Sequence, residues 1–369
     1  MKLKIVILVT NLLSYLLLPF ALLRKKKGSV LHISYMVHIA YFTVKILREH
    51  GIKADYLAIG TKENRWKADY VFRPSYGLIS AKERIREFLF FWSTISKYEI
   101  IHSHFMMTLT SSAWEMKFFR LLGGKWVVHG RGCAERNQQL NMKLHPQMNI
   151  CQNCDYGGKY CNDPTNIYRQ KLTRTKADHV LVTTPDMLDF LPSAEHMPFF
   201  VPPIATPEAK IQSDQNKAFK IIHVTNHPGI EGTEIIKKCI DNLIELGYDI
   251  EFIFLQNVDN LEVLNAYQQA DLSIGKMKMG YYANAQIESL FFNVPAITYV
   301  RDEFITPKIQ ESGLILSSLE QLEETIKYYI DNPDKLAKKR QVSQSSVLQL
   351  HNNADIANRY KSVYNRITQ

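Results

Sequence analysis

Three sets of side chains in this chain have the types and spacing to do chemistry. The first is Cys151-Gln152-Asn153-Cys154, with Cys161 after it and Cys133 before it. A C-x-x-C knuckle with two further thiols is a tetrahedral zinc pattern. Cys133, Cys151, Cys154 and Cys161 are therefore candidate ligands for a structural ion, with unliganded thiols as the alternative. The second set is His129-Gly130-Arg131, with Arg136 just beyond, at the end of an apolar run. Both arginines are candidates for an acceptor phosphate or a diphosphate; a solvated basic loop is the alternative. The third set lies in the C-terminal half. Thr225–Thr233 (TNHPGIEGT) joins an apolar run to a helical one through Gly229 and Gly232. Free N–H groups at such a junction cradle phosphate, and Asn226, His227, Gly232 and Thr233 are the residues it offers. Further on, Glu288 opens an apolar helix. There a carboxylate either takes ribose hydroxyls or only complements the helix dipole.

The elements that must position these groups alternate between strand and helix. Ser29–Ser34, Ala54–Ile59, Glu99–His102, Lys125–His129 and His179–Thr183 read as strands, with a helix over Tyr41–His50 ended by Gly51. Pro202, Pro203 and Pro207 then crowd a polar stretch to Asn216, the best linker in the chain. Beyond it the alternation restarts. Strands are expected at Phe219–Thr225, Ile250–Leu255, Leu272–Ile274, Ala296–Val300 and Leu314–Leu316. Helices are expected at Gly232–Leu246 and Leu261–Gln269, and a helical tail over Leu319–Ile367 breaks near Asn332-Pro333 and His351. This pattern implies an α/β protein with two tandem, doubly wound parallel sheets. A cleft between their carboxyl edges is the expected ligand site.

Composition narrows the class. A chain of 369 residues with 46% apolar and 22% charged residues suits two folded domains. The net charge of +9 suits an anionic partner. Nucleic acid is excluded as the expected partner, since no DNA- or RNA-binding motif accompanies the charge. Five cysteines in this length exclude a disulfide-stapled scaffold. Ile5–Leu23 carries no charge and is followed by Arg24-Lys25-Lys26-Lys27. The run is just long enough to span a bilayer, and the charge balance puts the bulk of the chain on the cytoplasmic side. Thr10, Asn11 and Ser14 share one helical face, which equally suits a helix lying in the interface. A buried first element is the remaining alternative. The expected divisions are a membrane-associating segment 1–28, an N-terminal domain 29–205 with a cysteine-rich loop 133–161, a C-terminal domain 206–345 and a final helix 346–369.

In their order, these pieces resemble family-four glycosyltransferases, which have the GT-B fold. Glu231-Gly232-Thr233 looks like the family's Lys-Gly-Thr loop, and Ala270-Asp271-Leu272 like its "aD" strand. Ile287-Glu288-Ser289-Leu290 through Asn293-Val294-Pro295 is similar to the end of its Glu-x7-Glu element. In the N-terminal half, Ile101-His102-Ser103-His104, Val128-His129-Gly130 and Ala177-Asp178 with Thr184-Pro185-Asp186 resemble further family motifs. The resemblance runs from Ser29 onward. It implies a retaining transferase using a nucleotide-diphosphate sugar, with no metal required for catalysis. Glu288 would hold the ribose, the Asn226–Thr233 loop the phosphates, and His129 the donor sugar. The acceptor would be a saccharide, lipid-linked if the chain is anchored to an anionic membrane surface, as in bacterial surface-polysaccharide assembly. Two departures stand out: Gly280 replaces the first acid, and Glu231 replaces the loop lysine. Lys276 and Lys278 are the candidates to supply the missing charge, and Tyr281-Tyr282-Ala283 resembles a Tyr-Gly variant of the family, making Tyr282 a donor-site candidate. A catalytically silent nucleotide-sugar or partner-binding protein, and a nucleotide-sugar epimerase, are the competing readings.

Overall fold

The computed structural model describes residues 2–35, 38–60, 67–73, 80–110, 112–201 and 218–369. The proline-rich linker, 202–217, lies outside them. Helix α1 (Lys2–Leu23) leads into β1 (Lys26–Ser34), α2 (His38–Glu49), β2 (Lys53–Ile59), β3 (Tyr70–Phe72) and α3 (Ala81–Ser93). Next come β4 (Tyr98–His104), α4 (Trp114–Leu121), β5 (Lys125–Gly130), α5 (Gln138–Leu144), α6 (Pro164–Lys176), β6 (His179–Val182) and β7 (Glu195–His196). The second half runs β8 (Phe219–Val224), α7 (Pro228–Glu231), α8 (Thr233–Glu245), β9 (Ile250–Leu255), α9 (Asn260–Tyr267), β10 (Leu272–Ile274) and α10 (Asn284–Phe291). It closes with β11 (Ala296–Thr298), α11 (Pro307–Gln310), β12 (Leu314–Leu316), α12 (Leu322–Asp331), α13 (Pro333–Leu350) and α14 (Asn353–Thr368).

Every strand pairing is parallel. The first sheet has the order β3-β2-β1-β4-β5-β6-β7 and the second β12-β11-β10-β8-β9. Each order reverses direction once, at β1/β4 and at β8/β10. Crevices beyond the carboxyl ends of strands at such reversals are where open α/β sheets bind ligands. The parallel strands are buried on both faces, so their sequences read as nearly continuous apolar runs. On the first sheet one face packs Leu31, Ile33, Ile101 and Val128 against α3 and α4. The other packs Val30, Ile100 and Val127 against Val44 and Leu47 of α2 and Tyr360 and Tyr364 of α14. The last helix thus returns to the N-terminal half.

Three boundaries move. Strand β1 begins at Lys26, because backbone pairing with Tyr98 carries the basic cluster into the sheet. The division at 345/346 falls inside α13, which continues to Leu350; the chain turns at His351 instead. Helix α10 begins at Asn284, since the Gln286 side chain accepts from the Ala283 N–H at 3.0 Å and so satisfies a free donor at the helix start. Glu288 therefore lies one turn inside the helix rather than opening it.

Candidate functional site

At the second reversal, β8 delivers the loop Thr225–Gly232. The Thr225 hydroxyl accepts from the His227 N–H at 2.9 Å, and Asn226 Oδ1 accepts from the Asn257 N–H at 3.0 Å, fixing the loop's entry. Gly232, at φ +83°, takes the left-handed turn between α7 and α8. The Thr233 hydroxyl is spent internally on His223 Nε2 at 2.8 Å, while His223 Nδ1 meets the Ile274 carbonyl. Between these fixed ends, the N–H groups of Gly229 and Ile230 point at one carboxylate. Asp155 accepts from both, at 3.0 and 2.9 Å.

Asp155 belongs to the cysteine-rich loop of the other half. Its neighbour Tyr156 meets His227 Nε2 at 2.6 Å. A Cβ at Gly229 would collide with the Asn153 carbonyl, so only glycine permits this approach. The tip of the cysteine-rich loop thus covers the loop after β8. Asp155 itself has no sequence signal, because its amide partners lie 74 and 75 positions away.

The lysines are not free cations. Lys276 pairs with Glu231, which also accepts from the Lys276 N–H at 2.9 Å. The departure at Glu231 is thus a buried counter-charge to Lys276. Lys278 is buried, donates to the Gly229 carbonyl at 2.9 Å, and is held below its usual range by desolvation. Gly280, also at positive φ, explains the missing acid: a Cβ there would meet Arg301 Cγ at 2.8 Å. Arg301 fills that space and reaches across the cleft to Asp189 at 2.8 Å and His145 at 2.6 Å. Arg301 was invisible as a site residue in sequence. Tyr282 is buried and bonds His351 at 3.1 Å, closing the hinge between α13 and α14. Glu288 accepts from Asn260 at 3.4 Å, and burial pushes its carboxyl up to about 7.

At the first reversal the chemistry is different. The register sets His32 beside His102 and His104 beside His129, and strand alternation puts all four on one face. Arg131 Nε donates to His104 Nδ1 at 2.8 Å, and Arg131 Nη2 lies 3.3 Å from His129 Nδ1. A guanidinium has no lone pair, so His104 Nδ1 is an acceptor and its proton sits on Nε2. That proton goes to His32 Nδ1 at 3.0 Å, and His32 Nε2 donates to the Tyr364 hydroxyl at 3.3 Å. Tyr364 in turn donates to His102 Nδ1 at 2.8 Å, leaving a buried His102 Nε2 without a partner. Burial keeps these imidazoles neutral: His32 is pushed down to about 3, and His102, His104 and His129 lie well below the usual range. His129 also meets Tyr360 and Thr183, both at 3.2 Å. Its two nitrogens are engaged within the N-terminal half and α14.

Two groups of side chains have the types of metal ligands. Among the described residues, His32, His102 and His104 alone bring three ligand atoms within 4.8 Å of one another. An ion there would need the lone pair that His104 gives to Arg131, and would sit beside that cation; the set does not fit. The four cysteine thiols share one neighbourhood. Each of Cys133, Cys151 and Cys161 is raised by burial first and then by its neighbours, Cys161 to about 11. As placed they fall short of a closed tetrahedral set, in which every sulfur lies about 2.3 Å from the ion. Arg136 is committed elsewhere, to Asp186 at 2.7 and 3.0 Å in a buried pair. Glu135, also missed in sequence, accepts from the Gly132 N–H at 3.0 Å; its other oxygen has no partner and burial pushes it up to about 7.

No protein-family model matches the chain, and no curated protein sequence does. Solved structures do. Sucrose-phosphate synthase from Thermosynechococcus elongatus superposes with a TM-score of 0.59 at 14% identity, over 92% of this chain and 99% of that one. The catalytic domain of starch synthase IV from Arabidopsis thaliana, solved with ADP and acarbose, gives 0.59 at 11% identity over 92% and 99%. Anabaena HepE in complex with UDP gives 0.55 at 11% over 92% and 100%. At these identities the likeness concerns the fold alone. The two parallel sheets with their helices and the C-terminal helix match these structures over 92% of the chain, and the chain has the GT-B fold.

Proposed function

We propose that this protein is a retaining glycosyltransferase that moves a sugar from a nucleotide-diphosphate donor to a lipid-linked saccharide, on the cytoplasmic face of a membrane. The observation that carries the reading is the pair of N–H groups at Gly229 and Ile230, already holding a carboxylate at the second sheet reversal. Asp155 stands where a donor phosphate would sit. The structural neighbours solved with UDP and ADP support a nucleotide there. Glu288 would hold ribose hydroxyls, while Lys278 and the loop amides would stabilise charge developing on the departing diphosphate. Arg131, fixed by neutral imidazoles and lacking a carboxylate partner among the described residues, would hold an anionic group of the acceptor or donor. Rate enhancement would come from alignment of the two substrates and from this charge stabilisation, with no metal in the chemistry. A structural zinc on the four cysteines would require their loop to tighten. Zinc near one equivalent in protein purified without chelator, lost in Cys151→Ser and Cys154→Ser, supports it; less than about a tenth leaves free thiols, the donor set's ordinary state without an ion.

The occupied cradle and the Glu231–Lys276 pair favour one competing reading, a silent nucleotide-sugar or partner-binding protein. Incubation with a panel of nucleotide sugars separates them. Slow release of nucleoside diphosphate is the expected result. A changed sugar on an intact diphosphate would mean an epimerase, and binding with neither would mean a silent protein.

A further inference from the structure

The N-terminal helix is long enough to cross a bilayer: 22 residues at 1.5 Å each give about 33 Å, against about 30 Å of hydrocarbon. Length therefore does not decide between spanning and lying flat. The polar seam does. Thr10 and Ser14 are buried in the fold, not exposed on the helix. Arg84 of α3 donates from Nε to Thr10 Oγ1 at 3.1 Å and from Nη2 to Asn11 Oδ1 at 2.8 Å. Trp92 Nε1 donates to Ser14 Oγ at 3.1 Å. Arg84 is itself 4% exposed, with its guanidinium 3.6 Å over the Trp114 ring. Toward its C-terminal end α1 joins the N-terminal core through Leu17, Leu18 and Ala21. A spanning α1 would have to leave α3. That would strip a buried cation and a buried indole of their acceptors, a costly change.

The opposite side of α1 is uncovered. Ile5, Leu8, Leu12, Leu16, Phe20 and Leu23 are all exposed, Leu16 by 68% and Leu23 by 87%. Exposed cations border this face at both ends: Lys2 and Lys4 at the start, Arg24, Lys26 and Lys27 at the finish. Lys117 of α4 stands over the Tyr15 ring along its side. An apolar strip framed by cations matches the acyl and headgroup layers of one anionic leaflet. We propose that α1 lies in the plane of an anionic membrane, apolar side inserted and polar seam fastened to α3, so that the protein enters one leaflet without crossing it. This deepens the membrane attachment proposed above and rests on it.

The test uses the full chain with an epitope at its N-terminus, expressed in a bacterial host, with protease applied to inverted and right-side-out membrane vesicles. Epitope and C-terminal half should both be cut in inverted vesicles and both be spared in right-side-out ones. An epitope cut only in right-side-out vesicles, with the C-terminal half cut only in inverted ones, means that α1 spans and overturns the proposal. Purified chain should float with phosphatidylcholine vesicles containing phosphatidylglycerol. Replacing Arg24, Lys26 and Lys27 by glutamine should weaken this about a hundredfold at low salt. Leu12→Glu with Leu16→Glu should abolish flotation and leave donor hydrolysis unchanged. A soluble wild-type chain that does not float with these vesicles removes the membrane reading itself; a dimer mass in that case would make a second copy the cover of α1.

Discussion

The two sheet reversals occupy equivalent places in their halves and are built from opposite chemistry. At β1/β4 a single guanidinium is held by neutral imidazoles and, among the described residues, forms no ion pair with a carboxylate. At β8/β10 charges answer one another: Glu231 is met by Lys276, and the loop amides by Asp155. The first site is short of an anion, and the second already has one supplied by its own chain. Ligand charge should therefore add to the first site and displace a side chain from the second.

Acid should expose the difference most strongly. Burial lowers the folded pKa of His32, His102, His104 and His129, so the unfolded chain takes up protons first as pH falls below about 6.5. Stability contributed by these neutral imidazoles is full above that value and declines below it, by about 1.4 kcal/mol per pH unit for each histidine. The carboxyls Glu135 and Glu288 have the reverse sign: their contribution is full below about 4.5 and is lost as pH rises to about 7. Hydrogen exchange followed from pH 7 to 4 should show β1, β4 and β5 losing protection before β8 and β10. Simultaneous loss would mean that the histidine cluster does not set acid stability.

Glu288→Gln comes next in size. Above pH 7, where the carboxyl is ionised, it exchanges an ionic acceptor for an amide of the same shape, so nucleoside-diphosphate affinity should fall about ten- to a hundredfold, the worth of a charged hydrogen bond. Unchanged affinity in calorimetry removes Glu288 from the donor site. The smallest effect belongs to His129→Ala. The side chain's partners are Arg131, Tyr360 and Thr183, so melting temperature should drop by an amount corresponding to about 1–2 kcal/mol of neutral hydrogen bonding. Nucleoside-diphosphate affinity should not change. A large fall in turnover without loss of stability would restore His129 to direct contact with the donor sugar.

Much of the strand framework was legible in the sequence because buried parallel strands are short apolar runs closed by polar residues. Lys125–Gly130 and Phe219–Val224 stand within a residue of their expected ends. The loop Thr225–Thr233 was legible as a junction for the same reason. Its occupant was not, because Asp155 reaches it from another domain. His129 was legible as a strand-end histidine, yet its partner Tyr360 comes from 231 positions away on a helix whose pattern reads as an ordinary tail. The absent acid at Gly280 could be noticed, but its cause, Arg301 in the same space, is a tertiary fact. Charges that answer one another across the cleft leave no local periodicity to read.

The most direct measurement is calorimetric titration of UDP, ADP and GDP into the wild-type chain and into Asp155→Ala. If Asp155 holds the place of a donor phosphate, removing its carboxylate should tighten binding of the preferred nucleotide about tenfold or more, the scale of a charged hydrogen bond that no longer has to be displaced. Equal or weaker binding by Asp155→Ala, with the fold intact by circular dichroism, would contradict the assignment of the Gly229–Ile230 amides as the phosphate site.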